Sequence, residues 1–187
     1  CPLTSLERLK RSITLRPHAF QLILPDWVTL TPKEQIMFLE KIAATAEGVP
    51  LVLYNPPHAK VVLQPRDIAA LAAAVPQLIG LKVATYGDHW FEEMWHYASE
   101  LAVFVPGHRL ATGVREGVAS GSYSNVACMS PAGAQRWWQL IKTDLTAALE
   151  TETRIHRFFS QCIEPLKAQG YSNPALDKFL AAIGGWA

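Results

Sequence analysis

Residue 82 is a lysine set inside an apolar run, Leu78-Ile79-Gly80-Leu81-Lys82-Val83-Ala84. Such a run is fit for burial, and burial disfavours the charged ammonium. A neutral lysine amine adds to carbonyls and forms imines. A lysine at a strand end, its stem packed and its head in water, explains the same residue without chemistry. Tyr54 closes the preceding run, Leu51-Val52-Leu53-Tyr54. On a neighbouring strand in the same phase, its phenol would approach Lys82 and relay protons; as an aromatic at the rim of a core it would only pack. His58, His89 and His108 each follow a predicted strand, so they could converge on a divalent metal. No HExxH spacing supports that, and solvent-facing or hydrogen-bonded histidines are the plainer account. Cys128 has no base placed beside it by the sequence, which predicts a small buried thiol and not a nucleophile.

The elements that must position these residues alternate. Leu3, Leu6, Leu9 and Ile13 have helical spacing, with Thr4 and Glu7 at capping-box positions. Strands are predicted at 19–24, 51–54, 78–84, 101–105 and 118–120. Thr31-Pro32-Lys33-Glu34 reads as a helix start with a Thr cap, Pro at the first position and Glu at the third, and Gly48 as the stop. Further helices are expected at 65–75, 88–99, briefly before 118, at 130–149 behind Ser130-Pro131, at 152–167, and at 174–183 capped by Asn173. Trp137 and Trp138 fall on the long helix as packing residues.

Five short apolar strands alternating with helices predict parallel βα units, as an open sheet or a barrel. A complete barrel needs eight strands and typically ~250 residues. In either architecture the site lies at the carboxyl ends of the strands. The residues there are Asp26-Trp27, Tyr54-Asn55, Lys82 to Thr85, Pro106-Gly107-His108, and Ser120 to Asn125.

Tyr54-Asn55-Pro56-Pro57, followed one βα unit later by Ile79-Gly80-Leu81-Lys82, resembles the dihydrodipicolinate synthase/N-acetylneuraminate lyase family. So does Gly117-Val118-Ala119-Ser120-Gly121-Ser122-Tyr123-Ser124-Asn125, and the likeness runs in order from about residue 20 to 178. The resemblance implies an α/β fold, the C-terminal portion of a (β/α)8 TIM barrel with extra C-terminal helices. Residues 1–150 would be the partial barrel and 151–187 the helical extension. It implies a class I aldolase or lyase acting on pyruvate or a related 2-keto acid, with no cofactor. Lys82 falls on the Schiff-base lysine and Tyr54 on the catalytic tyrosine. Ser120 and Gly121, with Asn55, fall where the keto-acid pocket is lined. The strands at 20–24 and 78–84 become the fourth and sixth of the barrel. Departures are that Pro106-Gly107-His108 stands where an acidic residue usually follows the glycine, and that the first three strands have no counterpart.

The remaining features bound the function. Half of the 187 residues are hydrophobic, 18% are charged and the net charge is +1, which gives no electrostatic reason to expect nucleic acid or a membrane surface. No apolar run approaches the ~20 residues of a spanning helix, and no signal pattern opens the chain. Cys1, Cys128 and Cys162 lack CxxC spacing and suggest reduced thiols in the cytoplasm. The partners expected are a small 2-keto acid and an aldehyde, and, from the resemblance, a second copy of the chain. Cys1-Pro2 at the start and Gly184-Gly185-Trp186-Ala187 at the end suggest a fragment, so a truncated, inactive barrel piece or interaction module is the alternative from another class.

Overall fold

The computed structural model describes residues 2–84 and 87–185. Five strands alternate with helices along the chain: β1 Phe20–Ile23, β2 Leu51–Asn55, β3 Leu78–Val83, β4 Ala102–Pro106 and β5 Ala119–Tyr123. The chain forms two compact units, Cys1–Phe104 and Val105–Ala187.

In the first unit β1 pairs with β2, β2 with β3 and β3 with β4, all parallel. Between them run α2 Pro32–Thr45, α3 Pro65–Ala74 and α4 Asp88–Ala98, behind α1 Pro2–Ile13. Helices supply the long crossovers that parallel neighbours need. Leu39, Ile42, Leu53, Ile68, Leu81 and Met94 are almost completely buried, so this unit has a core of its own. The Thr31 start is as the sequence reads: its hydroxyl accepts from the Glu34 N–H, and the Glu34 carboxylate accepts from the Thr31 N–H at 2.8 Å. Those backbone and hydroxyl donors hold the Glu34 carboxyl below its usual range. The Thr4–Glu7 box does not form as an N-cap, because α1 already begins at Pro2.

Register brings the two chemistry-bearing strands into step. Leu51 pairs with Leu78 but Val52 pairs with Gly80, so Ile79 is an extra residue on β3 and stands 47% exposed. Beyond this bulge Tyr54 pairs with Lys82 and Asn55 with Val83. Gly80 is needed for close approach: a β-carbon there would lie 3.0 Å from the Ala102 carbonyl oxygen of β4.

The second unit carries β5 and most of the remaining helices: a 3₁₀ turn Gly107–Arg109, α5 Leu110–Arg115, α6 Val126–Met129, α7 Pro131–Thr143, α8 Leu145–Phe158, a π-helical turn Phe159–Ile163, α9 Glu164–Ala168 and α10 Asn173–Ile183. Phe159, Ile163, Leu176 and Leu180 form its buried cluster, with Cys128 and Met129 packed against them. The helix predicted at 130–149 is two helices. Ser130 caps the first as expected, but Asp144 ends it and accepts from the Ala147 N–H at 3.0 Å to start α8. Trp137 packs between the two, donating to the Ala148 carbonyl at 3.1 Å. The cap of α10 is Ser172, with Asn173 already helical. Its end is glycine-capped, Gly185 taking a φ of 83°.

Candidate active site

Lys82 and Tyr54 are brought together. They are register partners on neighbouring parallel strands, and the Lys82 Nζ sits over the Tyr54 ring, 4.1 Å from its centroid. Parallel partners in one phase share a face of the sheet, which is why the side chains meet. On the opposite phase Leu53 and Leu81 are fully buried, and they anchor both strands. Lys82 and Tyr54 are half-buried, not enclosed, so the amine stays within reach of a ligand. A ring face at this distance attracts a positive charge on the lysine nitrogen, and would do so for an iminium formed there.

Asn55, next in sequence, is 2% exposed. Its Nδ2 donates to the Leu63 carbonyl at 2.9 Å and its Oδ1 accepts from the Leu63 N–H at 3.1 Å. This two-point clasp closes the loop from 55 to 63. The geometry therefore gives Asn55 the work of holding the loop that follows Tyr54. Thr85, which the sequence places at the same strand ends, lies outside the described residues.

A cavity opens at the carboxyl ends of β1 and β2, lined by Asp26, Gln35, Tyr54, Asn55, His58 and Lys60 among others. Two bonds join its loops: the Lys60 N–H donates to Asp26 Oδ1 at 2.7 Å, and the Lys60 Nζ donates to the Trp27 carbonyl at 2.8 Å. Lys60 lines this cavity, and the sequence reading did not single it out. Its only signal is position, six residues after Tyr54 on a strand-following loop.

Ser120 and Gly121 lie on β5 of the second unit, Ser120 exposed and Gly121 half-buried. Beside them the Ser122 hydroxyl is buried and, among the described residues, has no hydrogen-bond partner.

The same unit holds a polar cluster around His108. The His108 N–H donates to Asn125 Oδ1 at 3.3 Å, and Asn125 Nδ2 lies 3.0 Å from His108 Nδ1. Asn125 Oδ1 also lies 3.4 Å from His108 Nδ1, so one side-chain amide meets both the backbone N–H and the ring nitrogen. The ring stacks on Phe159 at 4.9 Å, and His156 Nε2 donates to the His108 carbonyl. Burial pushes the His108 pKa down to about 4; the Asn125 hydrogen bond opposes that shift, and the charges of His156, Arg109 and Lys167 add to it. Gly107 must be glycine here, since a β-carbon would collide with Ser124.

Glu152, 3% exposed, accepts from the Ala111 N–H at 2.7 Å, from the Thr112 N–H at 3.1 Å and from the Thr112 hydroxyl. It satisfies amides at the start of α5 that have no partner within the helix. Nothing in the sequence points to it, because its partners lie about 40 residues away.

The three-histidine reading finds no geometric support. Among the described residues no group of three or more His, Cys, Asp or Glu side chains is placed to hold a metal ion. His89 is exposed and faces Glu92 and Glu93 at 3.7 and 3.8 Å, while His108 is occupied by Asn125. Cys128 is half-buried, and burial together with the Asp177 charge pushes its thiol pKa up, away from the reactive thiolate. Among the described residues no helix is long and apolar enough to cross a membrane.

An alternating chain with a lysine and a tyrosine near the carboxyl ends of paired parallel strands has the form of a partial (β/α) barrel of about five βα units. Residues 11–186 match the Dihydrodipicolinate synthetase family, and the chain belongs to that family. Over 142 residues it is 29% identical to a probable 5-dehydro-4-deoxyglucarate dehydratase of Rhizobium meliloti (strain 1021), covering 74% of this chain and 46% of the relative. The 2-keto 3-deoxygluconate aldolase from Picrophilus torridus superposes with a TM-score of 0.77 at 20% identity, over 99% of this chain and 65% of that one. A prophage protein of the dihydrodipicolinic acid synthase family from E. coli K12, solved with pyruvate, gives 0.79 at 17% identity, over 97% and 61%. At these identities the solved structures establish the fold. The chain spans about half the length of the curated relative and less than two thirds of these solved chains.

Proposed function

We propose that this chain carries class I aldolase or lyase chemistry, with Lys82 forming a Schiff base to pyruvate or a related 2-keto acid. The observation that supports it is the contact of the Lys82 amine with the Tyr54 ring on register-paired strands. The family supplies the frame: relatives include a 2-keto 3-deoxygluconate aldolase and a probable dehydratase, and one family structure was solved with pyruvate.

In this reading the Lys82 amine adds to the ketone, giving a carbinolamine that loses water to become a protonated imine. The iminium nitrogen takes up the electron pair released when a neighbouring carbon loses a proton or a carbon–carbon bond breaks, giving an enamine. The enamine then attacks an aldehyde carbonyl to make a bond, or is protonated at carbon and hydrolysed, which frees the keto acid and the amine. Tyr54 moves protons at the carbinolamine and product hydroxyls. Asn55 positions Tyr54 through its clasp on Leu63, and Ser120 and Gly121 are proposed to meet the keto acid. The resemblance also favours a homo-oligomer.

Borohydride reduces an imine to a stable secondary amine, so pyruvate plus borohydride should add mass to the intact protein. Lys82→Ala, with its fold checked by circular dichroism, should lose that addition. Trapping that persists undiminished in Lys82→Ala removes the assignment.

A further inference from the structure

The strand that carries Lys82 has a neighbour on each side, and the two present different chemistry to the amine. At the level of Lys82, register runs across four strands of the first unit: Ile23 pairs with Tyr54, Tyr54 with Lys82, and Lys82 with Phe104. Register partners on parallel strands share a sheet face, and neighbouring strands lie about 4.8 Å apart. Lys82 therefore rises between an aromatic residue on β2 and another on β4. Phe104 is half-buried, like Tyr54 and the lysine between them. Val103, one residue earlier on β4, is buried on the opposite face with its register partner Leu81. Backbone pairing and that buried row fix where the Phe104 side chain starts. Below it on the same face Ala102 pairs with Gly80, so Phe104 is the first bulky group that β4 brings beside the lysine stem.

An imine on Lys82 has a planar carbon with two arms, the carboxylate and the C3 chain. Phenylalanine has no side-chain hydrogen-bond donor, so a carboxylate set against Phe104 would lose hydration without gaining a partner there. An alkyl C3 loses nothing at that wall and gains apolar contact. The Tyr54 side carries a hydroxyl. The two flanks therefore sort the two arms, and the arm facing β4 is C3.

We propose that Phe104 is a specificity-determining residue of this site, the wall that packs on C3 and limits it to a small alkyl group. The inference rests on Lys82 as the imine residue and gives that reaction a substrate class: 2-keto acids unbranched at C3. Phe104 touches the substrate beside the reacting carbon and takes no part in proton transfer.

The test compares pyruvate with 2-oxobutyrate and 2-oxoisovalerate, whose C3 carries one and two added methyl groups. The quantity read is the concentration of each that half-saturates borohydride trapping. Comparing the ratios between variants cancels the lower intrinsic reactivity of the bulkier ketones. The wild type should prefer pyruvate, and Phe104→Ala should shrink its preference over 2-oxoisovalerate by roughly tenfold or more, the worth of a methyl-sized misfit in an apolar pocket. Phe104→Leu keeps the wall apolar and should shrink the preference in the same direction; it decides the matter if the alanine variant does not fold. Ratios unchanged from wild type in the folded variants overturn the inference, as does a uniform weakening of all three ligands. Those results leave pyruvate trapping on Lys82 in place. Failure of pyruvate to trap on wild-type Lys82 overturns the imine reading and this inference together.

Discussion

The amine of Lys82 and the ring of Tyr54 make separable contributions, because the ring face and the phenol hydroxyl do different things. Tyr54→Phe keeps the face that lies 4.1 Å from the amine and removes only the hydroxyl. Imine trapping should survive in Tyr54→Phe while turnover of a cleavable keto acid falls by roughly 10²–10⁴-fold; an unchanged turnover would deny the hydroxyl a proton-transfer role. This pair was legible in the sequence because a lysine interrupts an apolar strand and a tyrosine closes the strand before it. Lys60 and Glu152 were not legible, since each acquires meaning from partners that folding brings near. His108 has a different consequence. Its pKa of about 4 in the fold lies below the ~6.5 of an exposed histidine, so the unfolded chain binds a proton that the folded imidazole refuses. Stability should be unaffected by this group above about pH 6.5 and fall as pH drops from there toward about 4, by up to about 3 kcal/mol. Urea unfolding at stepped pH checks it: His108→Phe should flatten that slope, and an identical slope in the variant would contradict the assignment.

Elements were read well wherever a local signal set their limits. Thr31 and Glu34 close a capping box within one turn, and Ser130 caps α7 through its own neighbourhood. The break between α7 and α8 went unread because the apolar spacing continues through it; the signal was Asp144 ahead of Leu145, an N-cap inside a helical pattern. The π-helical turn at Phe159–Ile163, which holds the Phe159 under His108, leaves no such mark. Contacts between elements follow the same logic. Glu152 of α8 closes the amides at the start of α5, and its removal would leave the buried Ala111 N–H without an acceptor. Glu152→Ala should therefore cost about 2–3 kcal/mol in chemical denaturation, more than a typical surface change. A loss below about 0.5 kcal/mol would mean that water replaces the carboxylate there.

At the scale of the molecule, the alternation of five strands with helices was visible in the apolar runs, and the family match over residues 11–186 agrees with it. Which residues meet was harder to read than which elements exist. Strand phase decided the Tyr54–Lys82 meeting, but the extra residue Ile79 on β3 sets that phase, and a bulge has no reliable signature in one sequence. The Asn55 amide bonds to Leu63 belong with these meetings, since their partner lies eight residues on along the chain. The account as a whole depends on which nitrogen attacks the keto acid. Peptide mapping after borohydride reduction with isotopically labelled pyruvate reads that directly. The label should sit on the peptide containing Lys82 and on no other lysine peptide at comparable yield. Label on Lys60 or spread over surface lysines, with Lys82 unmodified, would contradict it.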